Sequence, residues 1–142
     1  MSKDTAVGDP PVHHAVDLHV LEALERLGDA SGEDLIGELG TMFEADAGNQ
    51  LIEMHRALDH ADALAVSRSA HNLSGASASL GATDLASLCN TLETESAGGN
   101  LSNGETLLEA VESELELVNS EFATRSACTR LARARARGPR AS

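Results

Sequence analysis

One histidine, His71, has the sequence surroundings expected of a reactive imidazole. At about 100° per residue on a helix, His71 lies about 140° from the centre of an apolar stripe, so its ring should be exposed. Gly75 costs about 1 kcal/mol relative to alanine inside a helix, which suggests that another molecule approaches the backbone beside His71. Arg68 lies one turn before, where a guanidinium could meet a phosphoryl group. Such an imidazole is a nucleophile and a proton acceptor near neutral pH.

The residues on either side of His71 in the sequence are small, which should leave its ring accessible. They are Ser67, Ser74, Ala76, Ser77, Ala78 and Ser79. The apolar stripe of the same helix comprises Val66, Ala70, Leu73, Ser77 and Leu80. Asp62 is the predicted start of this helix and Gly81 its predicted end. An ordinary surface histidine in an alanine-rich helix is the alternative, and the periodicity alone leaves it open.

Apolar residues at helical spacing predict further helices on both sides of this one. The predicted boundary signals are Gly28 as a stop, Ser31 as an N-cap, Gly48 as a bend, Thr83 as a start and Ser102–Glu105 as a capping box. The predicted inward residues include Leu35, Leu39, Met42, Leu85, Leu88, Leu92, Leu108, Val111, Leu115, Val118 and Phe122. The sequence has no sustained alternation of apolar and polar residues, the pattern that would predict β-strands. We therefore expect an all-α fold, an antiparallel four-helix bundle with an additional short N-terminal helix.

The 142 residues suggest a single domain with unevenly distributed charge. The formal net charge is −13, but all 23 acidic residues and only four of the ten basic ones precede residue 125, which gives residues 1–124 a net charge of −19. We expect a flexible leader over 1–15, a folded domain over 16–123 and a disordered, arginine-rich tail over 124–142. The tail could fold back on its acidic domain, touch an anionic partner, or simply be solvated.

Composition excludes several classes of function. The acidic body, with two Phe and no Tyr or Trp, argues against nucleic acid as a ligand. No apolar run reaches membrane-spanning length, and no secretion signal begins the chain. Two cysteines make no disulfide framework, which favours a reducing, cytoplasmic compartment, and Cys89 is expected in the core. No metal or cofactor site is predicted, since no two histidines are spaced four residues apart, and His55 with Asp59 is more typical of a surface pair.

The segment from Ala70 to Ala82 reads AHNLSGASASLGA and resembles the signature of histidine-containing phosphotransfer (HPt) domains of bacterial two-component phosphorelays. That signature is roughly A-H-x-L-K-G-x-S-x-x-apolar-G-A, followed by a helix that ends in Leu-Glu, here Leu92-Glu93. Leu39 to Asp46 and Leu58 to Asp62 resemble the upstream helix and loop. The resemblance extends over about residues 16–123.

The resemblance implies that His71 is the phosphoacceptor of a relay between receiver domains, with Gly75 and Ala78 leaving room for docking. It implies response-regulator receivers and a hybrid sensor kinase as partners, a monomeric protein, and Mg²⁺ carried by the receiver. One departure from the pattern is Ser74, where the family often has lysine. We hypothesise that Arg68 supplies part of that positive charge; the receiver's own lysine is an equal alternative.

A kinase and a non-transferring adaptor are the alternatives to a relay. Autophosphorylation from ATP is not expected, because Asn72 follows His71 where sensor kinases have an acid, and no glycine-rich phosphate loop is present. A non-transferring adaptor would keep the bundle and bind a receiver or kinase without phosphate turnover. Ser74 in place of lysine favours an adaptor, whereas His71 and Gly75 favour a relay.

Overall fold

The structure, a computed structural model, describes residues 15–137 and consists there of five α-helices. They are α1 (Leu18–Ser31), α2 (Leu35–Asp59), α3 (Ala63–Ser79), α4 (Thr83–Ala97) and α5 (Gly104–Arg137). Helices α2 to α5 form a ring in which each packs against the next, and α1 packs on α2. Helix α5 runs antiparallel to α2, since Gly40 lies against Phe122 at one end and Gly104 against Leu58 at the other. The predicted fold is confirmed.

The core lies between the four helices of the ring. Its large, fully buried side chains are Ile36, Met54, Leu73, Leu85, Leu92, Leu108, Val16, Val66, Val111 and Val118. All five predicted inward residues of α5 are buried, as are Leu85 and Leu92 of α4. Burying each such side chain contributes about 1.5–3 kcal/mol to the free energy of unfolding, relative to leaving it exposed. This apolar core, with no aromatic residue beyond Phe43 and Phe122, holds the helix that carries His71.

Several predicted boundaries around α1 and α2 are wrong. Helix α1 passes through Gly28 and ends at Gly32, whose φ of +80° suits the left-handed cap. Gly28 is instead a close contact, because an added Cβ there would lie 2.6 Å from the Glu33 carbonyl oxygen. Ser31 belongs to α1, and Asp34 caps α2 by accepting the Gly37 N–H. Gly28 and Ser31 are residue types that often mark a helix boundary. The observed boundaries are set instead by the left-handed Gly32 and by the side chain of Asp34.

Helix α2 is continuous through Gly48, so the predicted bend is absent from its 25 residues. The buried stripe of its first half runs through Ile36, Phe43 and Ala47, and Met42 is 66% exposed. Helical spacing is compatible with either Met42 or Phe43 on the inward face. The sequence analysis therefore predicted Met42 as the inward residue, whereas the structure buries Phe43. Helix α5 begins at Gly104, inside the predicted capping box, and the Ser102 hydroxyl donates to Asn100 instead of capping the helix.

The largest difference from the sequence prediction is the tail, which continues α5 as helix through Arg137. Arg125 forms a bidentate pair with Glu25 at 2.7 and 3.2 Å, and Arg133 contacts Asp29 at 3.1 Å. Gly37 allows α2 and α5 to approach each other closely, because an added Cβ there would lie 2.7 Å from Ser126 Oγ. We name residues 124–137 the α5 extension. Acidic side chains of α1 and the α1–α2 turn stabilise it, a tertiary effect that composition does not show.

The predicted leader lies mostly outside the described residues, as do residues 138–142 of the predicted tail. At its end, Ala15 and Val16 are buried, and their amides donate to the Glu121 carboxylate at 2.8 and 3.1 Å. The folded part therefore begins no later than residue 15. None of the helices between residues 15 and 137 combines the length and hydropathy needed to cross a bilayer.

Candidate functional site

Helix α3 fixes the position of His71 through its two ends and its buried face. Asp62, the predicted start of the helix, is its N-cap and accepts the Ala65 N–H at 3.1 Å. At the end, Gly81 has a φ of +80°, and an added Cβ would lie 2.8 Å from Val20 Cγ2. Val66, Ala70 and Leu73 are completely buried. The opposite face of a helix held in this way must point outward, and the His71 side chain is 71% exposed there.

His71 forms one hydrogen bond, with a residue of the neighbouring helix. Its Nδ1 lies 2.9 Å from Oε2 of Glu93 in α4, whose side chain is 28% exposed. An ionised carboxylate can only accept, so Nδ1 carries the proton and Nε2 of the neutral ring keeps its lone pair. Within residues 15–137 no hydrogen-bond partner is recorded for Nε2. The site therefore exposes to solvent the ring nitrogen that points away from Glu93.

Glu93 is the site residue that sequence reasoning missed. The Leu92-Glu93 pair was part of the family pattern, but nothing in periodicity assigned the carboxylate to a residue 22 positions earlier. The signal available was indirect: α3 and α4 are joined by a short turn, so they must be antiparallel neighbours. The same packing brings Ser67 Oγ within 3.4 Å of the Glu93 carbonyl oxygen.

Gly75 lies in open space beside His71. An added Cβ would meet no atom within 4 Å, so neither packing nor backbone conformation requires glycine there. Ala78, the next small residue on this face, is also exposed. The helix stability that glycine costs here, about 1 kcal/mol relative to alanine, is therefore not explained by packing within the described residues. The two positions thus have the exposure that the sequence prediction requires.

Ser74 lies away from the exposed face. It is 8% exposed, and its Oγ donates to Oδ1 of Asn90 at 2.8 Å and approaches the Ala86 carbonyl oxygen at 3.4 Å. The hydroxyl therefore fastens α3 to α4. Ser74 supports the position of His71 through this packing, and its side chain does not replace the charge of a lysine.

Arg68 is exposed one turn before His71, as predicted. In the described part of the chain it takes part in no recorded ion pair or hydrogen bond, unlike Arg56, which is paired with Glu53 at 2.7 Å. Its guanidinium is therefore available to an anion brought by another molecule.

Among residues 15–137, no three His, Cys, Asp or Glu side chains are grouped to hold a metal ion. Cys89 is a core residue, as predicted, and burial raises the pKa of its thiol to about 12. A groove of about 640 Å³ lies between α2 and α5, lined by Met42, Asn119 and Phe122 among others, and does not include His71. His71 is thus an exposed side chain that lies outside this groove.

Comparisons with known proteins give two matches. A family model described as Hpt domain matches residues 38–121, more than half of the chain and including His71. Among solved structures, the chain is similar to histidine-containing phosphotransfer protein B (HptB) from Pseudomonas aeruginosa PAO1, with a TM-score of 0.72 and 29% sequence identity. That match covers 80% of this chain and 95% of the other. Comparison with curated protein sequences gives no match.

Proposed function

The chain belongs to the Hpt domain family, and from this premise we propose that it is a phosphorelay intermediate that accepts a phosphoryl group on His71 from the aspartyl phosphate of one receiver domain and passes it to another. Family membership itself gives the chain a phosphotransfer role in two-component signalling. The observation that supports the finer proposal is the free Nε2 of an imidazole whose Nδ1 is held by Glu93.

The proposed transfer needs no proton to leave the ring. Nε2 of His71 attacks phosphorus while the bond between phosphorus and the receiver's carboxylate oxygen breaks, and that electron pair leaves with the carboxylate. Nδ1 keeps its proton, so the phosphorylated ring carries a positive charge. The Glu93 carboxylate, 2.9 Å from Nδ1, offsets that charge. Attack by the aspartate of a second receiver reverses the same steps.

The charge of the phosphoryl group must be met by cations during transfer. In our proposal the receiver brings Mg²⁺, and Arg68 contributes a guanidinium from this chain. The alternative source is a lysine of the receiver. Arg68→Ala distinguishes the two: a slower transfer assigns the role to Arg68, and an unchanged rate assigns it to the receiver.

A labelling experiment tests the proposal. The protein is mixed with ATP alone, or with receivers loaded from acetyl phosphate, and scored for phosphate that survives base and is lost in acid. His55→Gln is a matched control for His71→Gln, because His55 is also exposed and lies 2.9 Å from a carboxylate, that of Glu112. We expect labelling from receivers in wild type and His55→Gln, and none in His71→Gln.

Other outcomes would identify other functions. Binding of receivers without labelling would favour the adaptor. Label from ATP alone would indicate a kinase activity that the proposal excludes. We also propose that the protein works as a cytoplasmic monomer, in keeping with two free cysteines in the described residues; light scattering of the purified protein tests the monomeric state.

A further inference from the structure

Helix α5 has a second line of uncharged residues, on the side opposite to its core-facing residues. Its two exposed leucines, Leu117 and Leu131, are 48% and 59% exposed and lie about 140–180° around the helix from the buried side. They belong to a line whose spacing alternates between four and three residues: Thr106, Ala110, Ser113, Leu117, Ser120, Thr124, Ala127, Leu131 and Ala134. Ala110 and Ala127 are half-buried, and the others are exposed. We name these residues the α5 seam.

The α5 seam contains no charged residue, although 11 of the 34 residues of α5 are Glu or Arg. The outward face of a solvated helix normally carries much of its charge, so an uncharged line along the whole helix indicates packing against another molecule. A mean spacing of 3.5 residues is the coiled-coil repeat, which follows the contact line between two supercoiled helices. From Thr106 to Ala134 the line is about 42 Å long. These features suit a partner helix.

The charges beside the α5 seam change sign along the helix. The residues that flank it in the coiled-coil register are acidic in the first half, Glu109, Glu114, Glu116 and Glu121, and basic in the second half, Arg130 and Arg135. Such flanking charges select the partner and its direction in coiled coils. A complementary helix is therefore basic beside the first half of the seam and acidic beside the second. An antiparallel helix meets this requirement with acids in its first turns and bases in its last, as the helix dipole favours.

From this pattern we infer that the α5 seam binds one amphipathic helix of another protein, antiparallel to α5 and with large apolar residues along its facing line. Seven of the nine seam residues are Ala, Ser or Thr, which leave room for large side chains opposite. A second copy of this chain would bring only two leucines and would place small residues against small ones, with few contacts. The seam therefore fits a different protein better, in keeping with the monomer proposed above.

The α5 seam lies away from the phosphoacceptor. In the ring of helices, α5 packs against α2 and α4, so it lies across the ring from α3. A helix bound to the outer face of α5 leaves His71 open to a receiver. The inference goes beyond the proposed function and does not depend on it: the seam would hold the protein beside a helical partner while transfer proceeds at α3.

A labelled synthetic helix tests this inference by fluorescence anisotropy. The probe is a peptide of about 28 residues, the length of four heptads, with leucine along its facing line, glutamate in the flanks of its first half and lysine in those of its second. A control peptide has the same composition, with glutamate and lysine alternating along the flanks. We expect wild type to bind the probe several-fold more tightly than the control peptide, because only the probe matches the charges of α5 along its whole length.

The double variant Leu117→Gln/Leu131→Gln shows whether the seam is the binding surface. Its matched control is Leu27→Gln/Ile52→Gln, because these residues are 59% and 66% exposed but lie on α1 and α2. All four side chains are exposed, so both variants should fold, which thermal unfolding checks. We expect the Kd for the probe to rise at least tenfold in the seam variant, which loses two apolar contacts, and to stay near wild type in the control. Transfer from receivers to His71 should be unchanged in the seam variant.

Several outcomes would overturn the inference. They are no binding of the probe by wild type, equal binding of the two peptides, and an equal loss of binding in the control variant. Self-association of wild type that the seam substitutions abolish would also overturn it, because the seam would then hold a second copy. A seam variant that loses receiver transfer together with probe binding would mean that the bundle is disturbed. Failure of every receiver to label wild type would overturn the proposed function alone.

Discussion

In the transfer that we propose, the hydrogen bond between Nδ1 of His71 and Glu93 leaves Nε2 as the reacting nitrogen. A free imidazole exchanges its proton between Nδ1 and Nε2, and a carboxylate at 2.9 Å from Nδ1 removes that freedom. Among residues 15–137, no three His, Cys, Asp or Glu side chains are grouped to hold a metal ion. We therefore expect the proposed transfer to depend on the orientation of the His71 ring and on the groups that the partner brings.

Replacing Glu93 should show this dependence directly. Glu93→Ala releases Nδ1, and we expect transfer from a loaded receiver to slow about tenfold, the order of one charge-assisted hydrogen bond. Glu93→Gln keeps an acceptor for the Nδ1 proton and should retain most of the rate. Single-turnover transfer measures both variants. A wild-type rate in Glu93→Ala would show that the bond does not orient the ring for reaction.

Gly75 should show opposite effects on stability and on transfer. An added Cβ meets no atom within 4 Å, so Gly75→Ala should stabilise the helix by about 0.5–1 kcal/mol. Thermal unfolding measures this as a rise in Tm of about 2–5 °C. Gly75→Leu, which projects a large side chain beside His71, should abolish transfer from receivers while the protein stays folded. Efficient transfer to Gly75→Leu would remove the docking explanation for the glycine.

At the scale of the elements, α3 was predictable and the α5 extension was not. Asp62 and Gly81 mark the ends of α3 by local chemistry, so the sequence predicts both its length and the exposed position of His71. The extension is held by carboxylates about 100 residues earlier in the chain. The amino-acid composition shows that the extension is rich in arginine, but it does not predict which carboxylates those arginines contact. The sequence does not predict the contact of Glu93 with His71 for the same reason. That contact, like those of the α5 extension, forms between residues distant in sequence and depends on tertiary packing.

The pair Glu25–Arg125 tests whether the α5 extension stabilises α1. Both side chains are about 30% exposed and bond in bidentate geometry, and Glu25 also lies within 3.4 Å of Thr129. In a double-mutant cycle of Glu25→Ala and Arg125→Ala, we expect a coupling free energy of about 0.5–1 kcal/mol, smaller at high salt. Urea unfolding measures it. Zero coupling at low salt would mean that the extension is held by packing alone.

At the scale of the whole molecule, Asp34 joins the start of α2 to the α5 extension. It caps α2 through the Gly37 N–H and bonds Ser126 and Arg130 of the α5 extension. Burial alone would raise the pKa of Asp34, but the hydrogen bonds from Ser126 and Gly37 and the charge of Arg130 outweigh burial, so its pKa lies below the ordinary 3.8. The folded state therefore favours the ionised carboxylate.

This shift predicts how acid affects the fold. Because the folded pKa of Asp34 is lower than the unfolded one, its contribution to stability is present above pH 3.8 and is lost as pH falls through the folded value. Asp34→Asn keeps a capping oxygen but has no charge to lose. We expect the free energy of unfolding of Asp34→Asn to fall less than that of wild type below pH 4. Identical acid profiles would show that Asp34 has no such role.

The central claim is that Nε2 of His71 receives the phosphoryl group, and nitrogen NMR of the protein after transfer from a loaded receiver tests it most directly. The account predicts a phosphoryl group on Nε2 of His71, with Nδ1 still protonated and bonded to Glu93. His55, with its own carboxylate partner, should remain unmodified. Phosphorylation at Nδ1, at another histidine, or at none would contradict it.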